Sequence, residues 1–374
     1  MESRELHIGL IGAGGFARFA LNAFSKLPGI RIIAVMDINK QAARQLGDEF
    51  GLQIYDELED LLKSENTDLI YIATPPYLHY VQAKKSLMAG KHVICEKPAA
   101  LRSKEAEELV AIARSRDLLY VVNLMQRYNP LYGTVKTIIQ ENLLGNFRHG
   151  YFENYASDQN LLPGHWFWDQ SKSGGIFIEH GVHFFDLFTG WLGEARVVGA
   201  WQLMRLNIKD QIVDRVQATL LYQGGLVNFY HGFDQPDLLD RQELRLLFEH
   251  GEITLYGWVP VKIKLHGILR AGQMQKLKTL LPEASLVHHK DSGSAPQKLK
   301  AGFTASDYEN HITLEYENMA GKQHLYADML KDMISDQWKW IMDRRHVRVI
   351  DGENAVLSTR MAEEATEFSQ RADN

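Results

Sequence analysis

Three side chains have the types and the spacing of a proton-transfer site. Lys97 follows a short apolar run that ends at Cys95, and Glu179 and His183 lie four residues apart in a later segment that begins with two glycines. Histidine exchanges protons near neutral pH, and a lysine beside a substrate oxygen can hold that oxygen and adjust the acidity of an alcohol. Lys97, His183 and Glu179 are therefore the candidate catalytic residues for acid–base chemistry on a hydroxyl or carbonyl group.

Glu179 and His183 are predicted to share one helix face with Asp186. At about 100° per residue the three positions fall at about 0°, 40° and 340°, and the residues between them are mostly apolar. An apolar helix that keeps three ionisable groups together is a candidate for using them. We expect Glu179 to orient the imidazole of His183, and Asp186 either to join the site or only to tether the helix.

The same segment permits a metal site, because Glu179, His180 and His183 have suitable ligand types and spacing. However, His180 points about 100° away from Glu179 on the predicted helix, and no further ligand cluster stands out along the chain. The sequence therefore predicts no metal.

A glycine-rich turn between the first predicted strand and helix fits the pattern G-x-G-x-x-A. The first glycine allows a tight turn, the second lets a pyrophosphate approach the backbone, and the small last residue packs the helix on the sheet. An aspartate 20 residues later can accept hydrogen bonds from both ribose hydroxyls, and because it would repel a 2′-phosphate and no arginine follows directly, NAD is favoured over NADP. The candidate cofactor residues of this region are Gly12, Gly14, Gly15, Phe16, Ala17 and Asp37.

The elements that position these residues alternate between β-branched runs and amphipathic helical stretches. Such alternation predicts a doubly wound parallel sheet in an α/β fold. The predicted helices cover 77–89, which Gly90 stops, and 104–116, which Ser103 caps. The predicted strands are Ile8–Ile11, Ile30–Met36, Leu69–Thr74, His92–Cys95 and Leu119–Val122.

A second domain is predicted to follow near residue 125. Asn129-Pro130 has the form of an N-cap followed by proline at the first helical position, so we divide the chain into 1–125 and 126–374. Closely spaced alternating runs between residues 147 and 265 predict a large antiparallel sheet. The stretch 264–302 lacks a clean period and is predicted to be a surface excursion, and two helices near 322–343 and 353–371 close the chain.

Composition narrows the class of partner. The 374 residues carry 41 Lys+Arg against 47 Asp+Glu, a net charge of −6, with no block of like charge, which argues against nucleic-acid and membrane-surface partners. The opening residues lack the features of a signal peptide, and no apolar run approaches the roughly 18 residues that span a bilayer. One cysteine excludes an internal disulfide. We therefore expect a cytoplasmic protein with a small-molecule partner.

Aromatic residues crowd the segment before Gly174. Such rings are more often core residues, but an aromatic face can also pack on the C–H surface of a sugar. Of this group, Trp166 is the candidate substrate contact.

Three segments together resemble the Gfo/Idh/MocA family of glucose–fructose oxidoreductase, inositol dehydrogenase and relatives. They are Ala73-Thr74-Pro75-Pro76 with His79, then Glu96-Lys97-Pro98, then the segment from Gly174-Gly175 to Asp186. Their order and spacing carry the resemblance, which covers most of the chain and thins after about Leu265.

The resemblance implies a Rossmann domain followed by an α/β domain with a large open antiparallel sheet. The outer face of that sheet commonly joins subunits, so a homodimer or homotetramer is implied. It also implies that Lys97 reaches both the nicotinamide ribose and the substrate hydroxyl. The sequence departs from the family pattern at Glu179, where the family usually has aspartate. The residues implied near the cofactor are Thr74, Pro75, His79, Glu96 and Lys97, and those implied near substrate are Lys97, Arg127, Glu179 and His183.

The sequence thus predicts a nicotinamide-dependent oxidoreductase that acts on a sugar, a polyol or a derivative. Two alternatives stay open. One is a glycosidase that uses transient oxidation, elimination and re-reduction, with no net cofactor turnover. The other is a regulatory protein that binds dinucleotide without catalysis, although a pure sensor has no need of Lys97 and His183.

Overall fold

The first six strands form a parallel sheet whose inner strands are buried on both faces. The strands are β1 (Leu6–Ile11), β2 (Ile30–Met36), β3 (Gln53–Tyr55), β4 (Leu69–Ile72), β5 (His92–Cys95) and β6 (Tyr120–Val122). Their order is β3-β2-β1-β4-β5-β6, and every neighbouring pair runs parallel. The order reverses between β1 and β4, the point where open α/β sheets bind ligands at the carboxyl ends of the strands. The computed structural model describes residues 5–205, 212–290, 292, 297–301 and 304–372.

Five helices connect these strands, as the alternating pattern predicts. The helix expected over 104–116 begins one residue earlier, and Ser103 is its first residue and not its cap. The backbone N–H of Ser103 donates to the Glu363 carboxylate at 2.9 Å, so a distant glutamate satisfies the first turn. The helices are α1 (Gly15–Phe24), α2 (Lys40–Phe50), α3 (Leu58–Lys63), α4 (Pro76–Met88) and α5 (Ser103–Ser115).

The middle of the chain forms a second sheet of nine strands. It is preceded by α6 (Pro130–Gln140), where Asn129 is the N-cap as predicted and accepts from the Leu131 N–H at 2.9 Å. The following elements are β7 (Phe147–Ser157), α7 (Gln170–Ser173), α8 (Val182–Leu192), β8 (Arg196–Met204), β9 (Val213–Tyr222), β10 (Gly225–Gln235), β11 (Arg241–Phe248), β12 (Gly251–Tyr256), β13 (Lys262–Leu269), α9 (Ala271–Leu280), β14 (Ser285–His288), β15 (Gln297–Ala301), β16 (Thr304–Tyr308), β17 (Asn310–Glu317), α10 (Gly321–Met342) and α11 (Gly352–Ala372).

The second sheet is mixed and not wholly antiparallel. Its order is β14-β17-β13-β12-β11-β7-β10-β9-β8, and the β7–β10 pair is parallel while the other pairs are antiparallel. Two parallel neighbours need a long crossover, here the chain from α7 to β9, whereas local spacing reveals only the hairpin-like pairs. The predicted large open sheet is confirmed, and its purely antiparallel character is wrong.

One face of this sheet is buried and the other is partly exposed. The residues alternate between the two environments along β13, and along β7 from His149 onward. On the buried face, the Phe188 ring of α8 packs edge-on against Phe229 with 5.0 Å between ring centroids. A side chain in place of Gly150 would start 3.2 Å from the Phe188 ring, so glycine lets the helix approach the sheet. We call the opposite, partly exposed side the outer face.

The described part of the stretch 264–302, which leaves out 291, 293–296 and 302, forms regular elements in place of the predicted surface excursion without a clean period. It contributes β13 and β14 to the nine-stranded sheet and holds α9, and β15 pairs with β16 in a separate two-stranded sheet. Both β13 and β14 pair with β17, which comes later in the chain. Residues 262–269 do alternate between outer-face and buried side chains, the local period of a half-buried strand, whereas β14 is only four residues long and is defined by its pairing with β17.

The fold divides into two compact units, each discontinuous in sequence. The first comprises Met1–Tyr128, Pro163–Asp186 and Tyr326–Glu367, and the second comprises Asn129–Leu162, Leu187–Leu325 and Phe368–Asn374. The division of the chain at residue 125 stays a prediction about domains. Among the described residues, no helix is both long enough and apolar enough to span a membrane.

Candidate active site

The glycine-rich turn has the shape of a phosphate cradle. Gly12 has φ +101°, and a Cβ there would lie 2.5 Å from the Ala73 carbonyl oxygen, so only glycine fits. Ala17 is fully buried, as a residue that packs helix on sheet must be. A Cβ on Gly14 or Gly15 would meet nothing within 4 Å, which leaves open space at the amino terminus of α1. Backbone N–H groups and the helix dipole favour an anion there, so the turn fits a dinucleotide pyrophosphate.

Asp37 ties this turn to the end of β2. Its Oδ2 accepts from the Ala13 N–H and its Oδ1 accepts from the Asn39 N–H, both at 2.7 Å. Each carboxylate oxygen has two lone pairs, so these bonds leave capacity for ribose hydroxyls. The residue predicted from spacing alone thus lies beside the glycine-rich turn, and its contact with a ribose stays a prediction.

The side chains of Gln82 and His79 hold the loop after β4 through hydrogen bonds to Thr74. Thr74 Oγ1 donates to Gln82 Oε1 at 2.6 Å, and Pro75 is the N-cap of α4. His79 is fully buried, with Nδ1 2.7 Å from the Pro98 carbonyl oxygen and Nε2 2.7 Å from the Thr74 carbonyl oxygen. Burial lowers the pKa of His79, against the effect of these two carbonyl contacts. His79 therefore links two loops of the site, and its direct contact with cofactor stays a prediction.

Phe16 lies among other rings in the first turn of α1. Its centroid is 6.1 Å from that of Phe19 and 6.2 Å from that of Tyr326. These ring contacts hold the turn that carries the glycines, while its contact with cofactor stays a prediction.

Glu96 follows β5 in a largely apolar setting with two polar partners. The Tyr71 hydroxyl donates to Glu96 Oε1, and Asn123 Nδ2 donates to the same oxygen at 2.9 Å. Burial raises the pKa of Glu96 to about 7, although both bonds act in the opposite direction. The sequence did not single out Tyr71 and Asn123; the available signal was that each lies on or just after a strand that neighbours β5.

Lys97 and Glu179 form an ion pair that is largely excluded from water. Lys97 Nζ donates to Glu179 Oε1 and, at 2.9 Å, to the Glu179 backbone carbonyl oxygen. The two side chains are 19% and 12% exposed. The structure thus brings the two predicted residues together across 82 positions of sequence. The sequence predicts that Glu179 orients the imidazole of His183, but in the structure Glu179 Oε1 accepts from Lys97.

The helix that carries these groups is not one uninterrupted α-helix. Phe177–Gly181 forms a π-helical turn, and α8 follows it. The predicted uninterrupted α-helix through Glu179, His183 and Asp186 is therefore wrong, while the shared face of the three side chains stays a prediction. A π-turn inserts an extra residue into the helical repeat and is often found at functional sites, and hydrophobic periodicity does not reveal it.

His183 lies beside this ion pair and is 3% exposed. Burial lowers the pKa of His183 well below 6.5, and the positive charge of Lys97 lowers it further. The imidazole is therefore neutral at neutral pH, which is the form that accepts a proton.

Arg127 and Asp186 form a second buried pair. Arg127 Nε donates to Asp186 Oδ2 at 2.9 Å, and Nη2 donates to Oδ1 at 2.7 Å and to the Asp186 backbone oxygen at 3.1 Å. Burial raises the pKa of Asp186 to about 6 against the effect of Arg127. Asp186 thus has the tethering role that was one of its two expected roles, and substrate binding by Arg127 stays a prediction.

Trp166 lies in a short 3₁₀ turn, Trp166–Trp168, and is partly exposed. Its ring packs near those of His165 and Phe167, with centroid distances of 5.1 Å and 6.4 Å. Its contact with substrate stays a prediction.

Comparison with known protein families agrees with this geometry. Residues 6–124 match the model of an oxidoreductase family with an NAD-binding Rossmann fold, and residues 132–254 match the Gfo/Idh/MocA C-terminal domain. The chain belongs to the Gfo/Idh/MocA oxidoreductase family. The predicted family, α/β fold class and nicotinamide dinucleotide cofactor are confirmed.

Over the aligned segments, curated relatives are between a quarter and a third identical to this family member. An uncharacterized oxidoreductase of Synechocystis sp. is 26% identical over 298 residues, which cover 78% of this chain and 73% of the relative. A dTDP-3,4-didehydro-2,6-dideoxy-alpha-D-glucose 3-reductase of Actinomadura kijaniata is 29% identical over 186 residues, covering 49% of this chain and 54% of the relative.

Solved structures share the fold over nearly the whole chain. The WlbA dehydrogenase from Bordetella pertussis, in complex with NADH and UDP-GlcNAcA, aligns with a TM-score of 0.78 and 17% identity, covering 100% of this chain and 97% of that one. A levoglucosan dehydrogenase in complex with NADH and L-sorbose aligns with a TM-score of 0.77 and 16% identity, covering 98% and 97%.

Gly12 and Gly14 of the turn are expected to respond differently to a methyl group. Gly12→Ala forces a strained φ and a clash with Ala73, so it should lower the free energy of unfolding by about 1–3 kcal/mol. Gly14 has ordinary backbone angles and open space around a Cβ, so Gly14→Ala should leave the free energy of unfolding near that of the wild type. The same variant should weaken NAD binding by about 10-fold or more, because the methyl group occupies the space that the phosphates approach. Thermal unfolding and NAD titration check both. An equal loss of stability in the two variants would contradict the assignment.

Proposed function

We propose that this family member transfers a hydride between nicotinamide and a hydroxyl-bearing carbon, or the corresponding carbonyl, of a sugar, polyol or derivative. The observation that carries the proposal is the Lys97 ammonium, held by Glu179 after β5 and next to a buried, neutral His183. That edge of a parallel sheet is where such folds bind their ligands.

The three residues have distinct roles in the oxidation direction. His183 takes the proton of the substrate hydroxyl, because its imidazole is neutral and can accept it. Lys97 donates a hydrogen bond to the same oxygen and stabilises negative charge as the proton leaves. Glu179 is a positioning residue that holds the ammonium in place. The nicotinamide supplies the chemistry of hydride transfer when bound.

The reverse direction uses the same groups. Lys97 and His183 then donate to the carbonyl oxygen, and one of them gives it a proton. The low exposure of Lys97, Glu179 and His183 excludes most water from these groups, which strengthens their electrostatic effect on the reacting oxygen.

NAD is the proposed cofactor in preference to NADP. Asp37 lies at the end of β2 with its carboxylate oriented by two backbone N–H groups. A fixed negative charge at that position favours a ribose with two free hydroxyls and repels a 2′-phosphate.

A sugar-like substrate is supported by what related proteins are named for. The Actinomadura relative is named as a 3-reductase of a dTDP-linked sugar, and another relative, from Bacillus subtilis, is named glucose-6-phosphate 3-dehydrogenase. Acid–base groups arranged like Lys97 and His183 suit the secondary hydroxyls of such compounds.

Self-association through the outer face of the large sheet is also proposed. Tyr155 and Tyr230 lie together there with 5.2 Å between ring centroids, and Trp201, Leu226 and Leu247 are 51%, 41% and 41% exposed. Aromatic and apolar residues in such number on an exposed sheet face are typical of subunit interfaces. Analytical ultracentrifugation tests this, and a strict monomer would contradict it.

The proposed reaction is tested by incubating the protein with NAD and a panel of polyols, aldoses and nucleotide sugars while NADH is followed by absorbance. Formation of NADH with one class of substrate supports the proposal. Hydrolysis of a glycoside without net NADH would indicate the glycosidase alternative. NAD binding with no turnover of any panel member, in either direction, would favour the regulator.

Lys97→Ala should lower turnover by roughly 100-fold or more, because it removes a positioned group at the reacting oxygen. It should also move the acid limb of the kcat/KM profile to higher pH. Without the lysine's positive charge the pKa of His183 rises, so the imidazole becomes protonated, and unable to accept a proton, at a higher pH than in the wild type. Steady-state kinetics between pH 4 and 9 would measure both effects.

Lys91→Ala is the matched control for that variant. Lys91 is also partly buried and donates to two backbone carbonyls, those of Ser64 and Thr67, but it lies outside the candidate site. Its loss should leave turnover and the pH profile near those of the wild type. If Lys97→Ala behaves like Lys91→Ala, Lys97 has no part in the reaction.

Glu179→Gln should lower kcat by about 10-fold, because glutamine keeps an acceptor for Lys97 but loses the charge attraction. The double variant Lys97→Ala/Glu179→Gln should be about as slow as Lys97→Ala alone, since Glu179 acts through the lysine. A double-mutant cycle of kcat measures this coupling. If the losses of kcat in the two single variants simply multiply in the double variant, Glu179 acts separately from Lys97, for example on the imidazole.

Asp37→Ser should weaken NAD binding and narrow the preference for NAD over NADP, because the ribose hydrogen bonds and the charge repulsion vanish together. The control is Asp56→Ser, which removes an exposed carboxylate that pairs with Lys40. Titration of both cofactors into each variant gives the four affinities. Unchanged binding of NAD and NADP by the Asp37 variant would place the ribose elsewhere.

A further inference from the structure

Three histidines lie together on the second sheet, among residues that the mechanism does not use. His266 is on β13, His311 is on β17, and His289 directly follows β14. One ring nitrogen from each lies within 4.8 Å of those of the other two, and His266 Nε2 is 2.8 Å from His311 Nε2. Among the described residues this is the only group of three or more potential ligands from histidine, cysteine, aspartate and glutamate that lie so close to one another.

The sheet itself brings the three rings together. Antiparallel pairing aligns His266 with Thr313 and places His311 one row along on the same face, while the His289 N–H donates to the His311 carbonyl oxygen at 2.9 Å. The rings therefore lie side by side on the outer face, and the ring centroids of His289 and His311 are 4.2 Å apart. All three side chains are partly buried.

Neighbouring hydroxyl groups hold the cluster in position. The Thr313 hydroxyl lies 3.0 Å from His289 Nε2, and the Ser292 hydroxyl donates to the His311 carbonyl oxygen at 2.8 Å and accepts from the His311 N–H at 3.0 Å. A hydrogen bond to one ring nitrogen, like that between Thr313 and His289, is the kind that orients a histidine ligand around a metal. The two Ser292 bonds fix the backbone of His311 instead.

We propose that His266, His289 and His311 form a binding site for a divalent transition-metal ion of the zinc class. Three imidazole nitrogens are a ligand set that zinc uses, with a water or another small ligand completing a tetrahedron. Zn–N distances of about 2.0–2.1 Å separate the ligand nitrogens by about 3.3 Å. Small side-chain rotations bring the three ring nitrogens from their present separations, at most 4.8 Å, to that value.

The charges around the cluster are compatible with a cation. Glu252 lies directly opposite His266 on β12 and forms an ion pair with Arg245 at 3.7 Å, and Lys264 forms an ion pair with Glu315 at 3.2 Å, so each of these neighbouring charges has a partner of opposite sign. The sequence predicted no metal because the three histidines are spaced by 23 and 22 residues, far from any short ligand motif.

The test is equilibrium dialysis of Zn²⁺ against full-length, tag-free protein that has first been stripped with a chelator. The wild type should bind one Zn²⁺ per chain, and His266→Gln, His289→Gln and His311→Gln should each weaken binding by at least about 10-fold. The matched control is His288→Gln, because His288 is exposed, immediately precedes His289 and lies outside the cluster. It should bind Zn²⁺ like the wild type.

Two further readouts separate ligation from loss of fold. Circular dichroism shows whether each variant is folded, and Co²⁺ added to the wild type and to His288→Gln should give the intense visible bands of a four-coordinate ion with a 1:1 endpoint. Absence of saturable Zn²⁺ binding, absence of those bands, or equal zinc affinity in the wild type and His311→Gln would overturn the proposal. The outcome does not depend on the proposed redox function, because none of the readouts measures turnover.

Discussion

The ion pair between Lys97 and Glu179 is the interaction on which the rest of the site depends. It fixes the position of the Lys97 ammonium after β5, and the charge of that ammonium lowers the pKa of His183. It also joins the loop after β5 to the π-turn before α8. With both side chains mostly out of water, neither charge is well solvated without the other. The pair therefore constrains the position of the π-turn as well as the chemistry, and the Arg127–Asp186 pair does the same for the beginning of α8.

Burial shifts the pKa values of carboxyl and imidazole groups in this unit of the fold in opposite directions. Burial raises the pKa of Glu96 to about 7 and that of Asp186 to about 6, while burial and Lys97 lower the pKa of His183. Carboxyl groups that titrate close to neutral pH thus lie in the same unit of the fold as an imidazole that stays neutral. Burial thus favours the uncharged form of all three groups.

Each unit of the fold uses its sheet differently. In the parallel sheet, both faces are covered and the candidate functional residues follow the carboxyl ends of the strands, at Gly12, Asp37, Thr74 and Lys97. In the mixed sheet, one face packs on helix α8 and the outer face presents side chains in rows set by strand register. That register is what gathers His266, His289 and His311, and it also places the aromatic residues proposed to join subunits.

The sequence by itself determined the parallel α/β alternation, the glycine turn, Asp37 and the candidate status of Lys97, His183 and Glu179. These follow from periods of a few residues and from motifs confined to one turn, so local physics is sufficient to predict them. Tertiary structure alone decided that Glu179 holds Lys97, that Tyr71 and Asn123 hold Glu96, that β7 and β10 pair in parallel, and that three histidines meet. The π-turn and the short strand β14 also depended on it. In each of these cases the partners are far apart in the chain or the local period is broken, and only non-local packing and strand pairing bring the groups together.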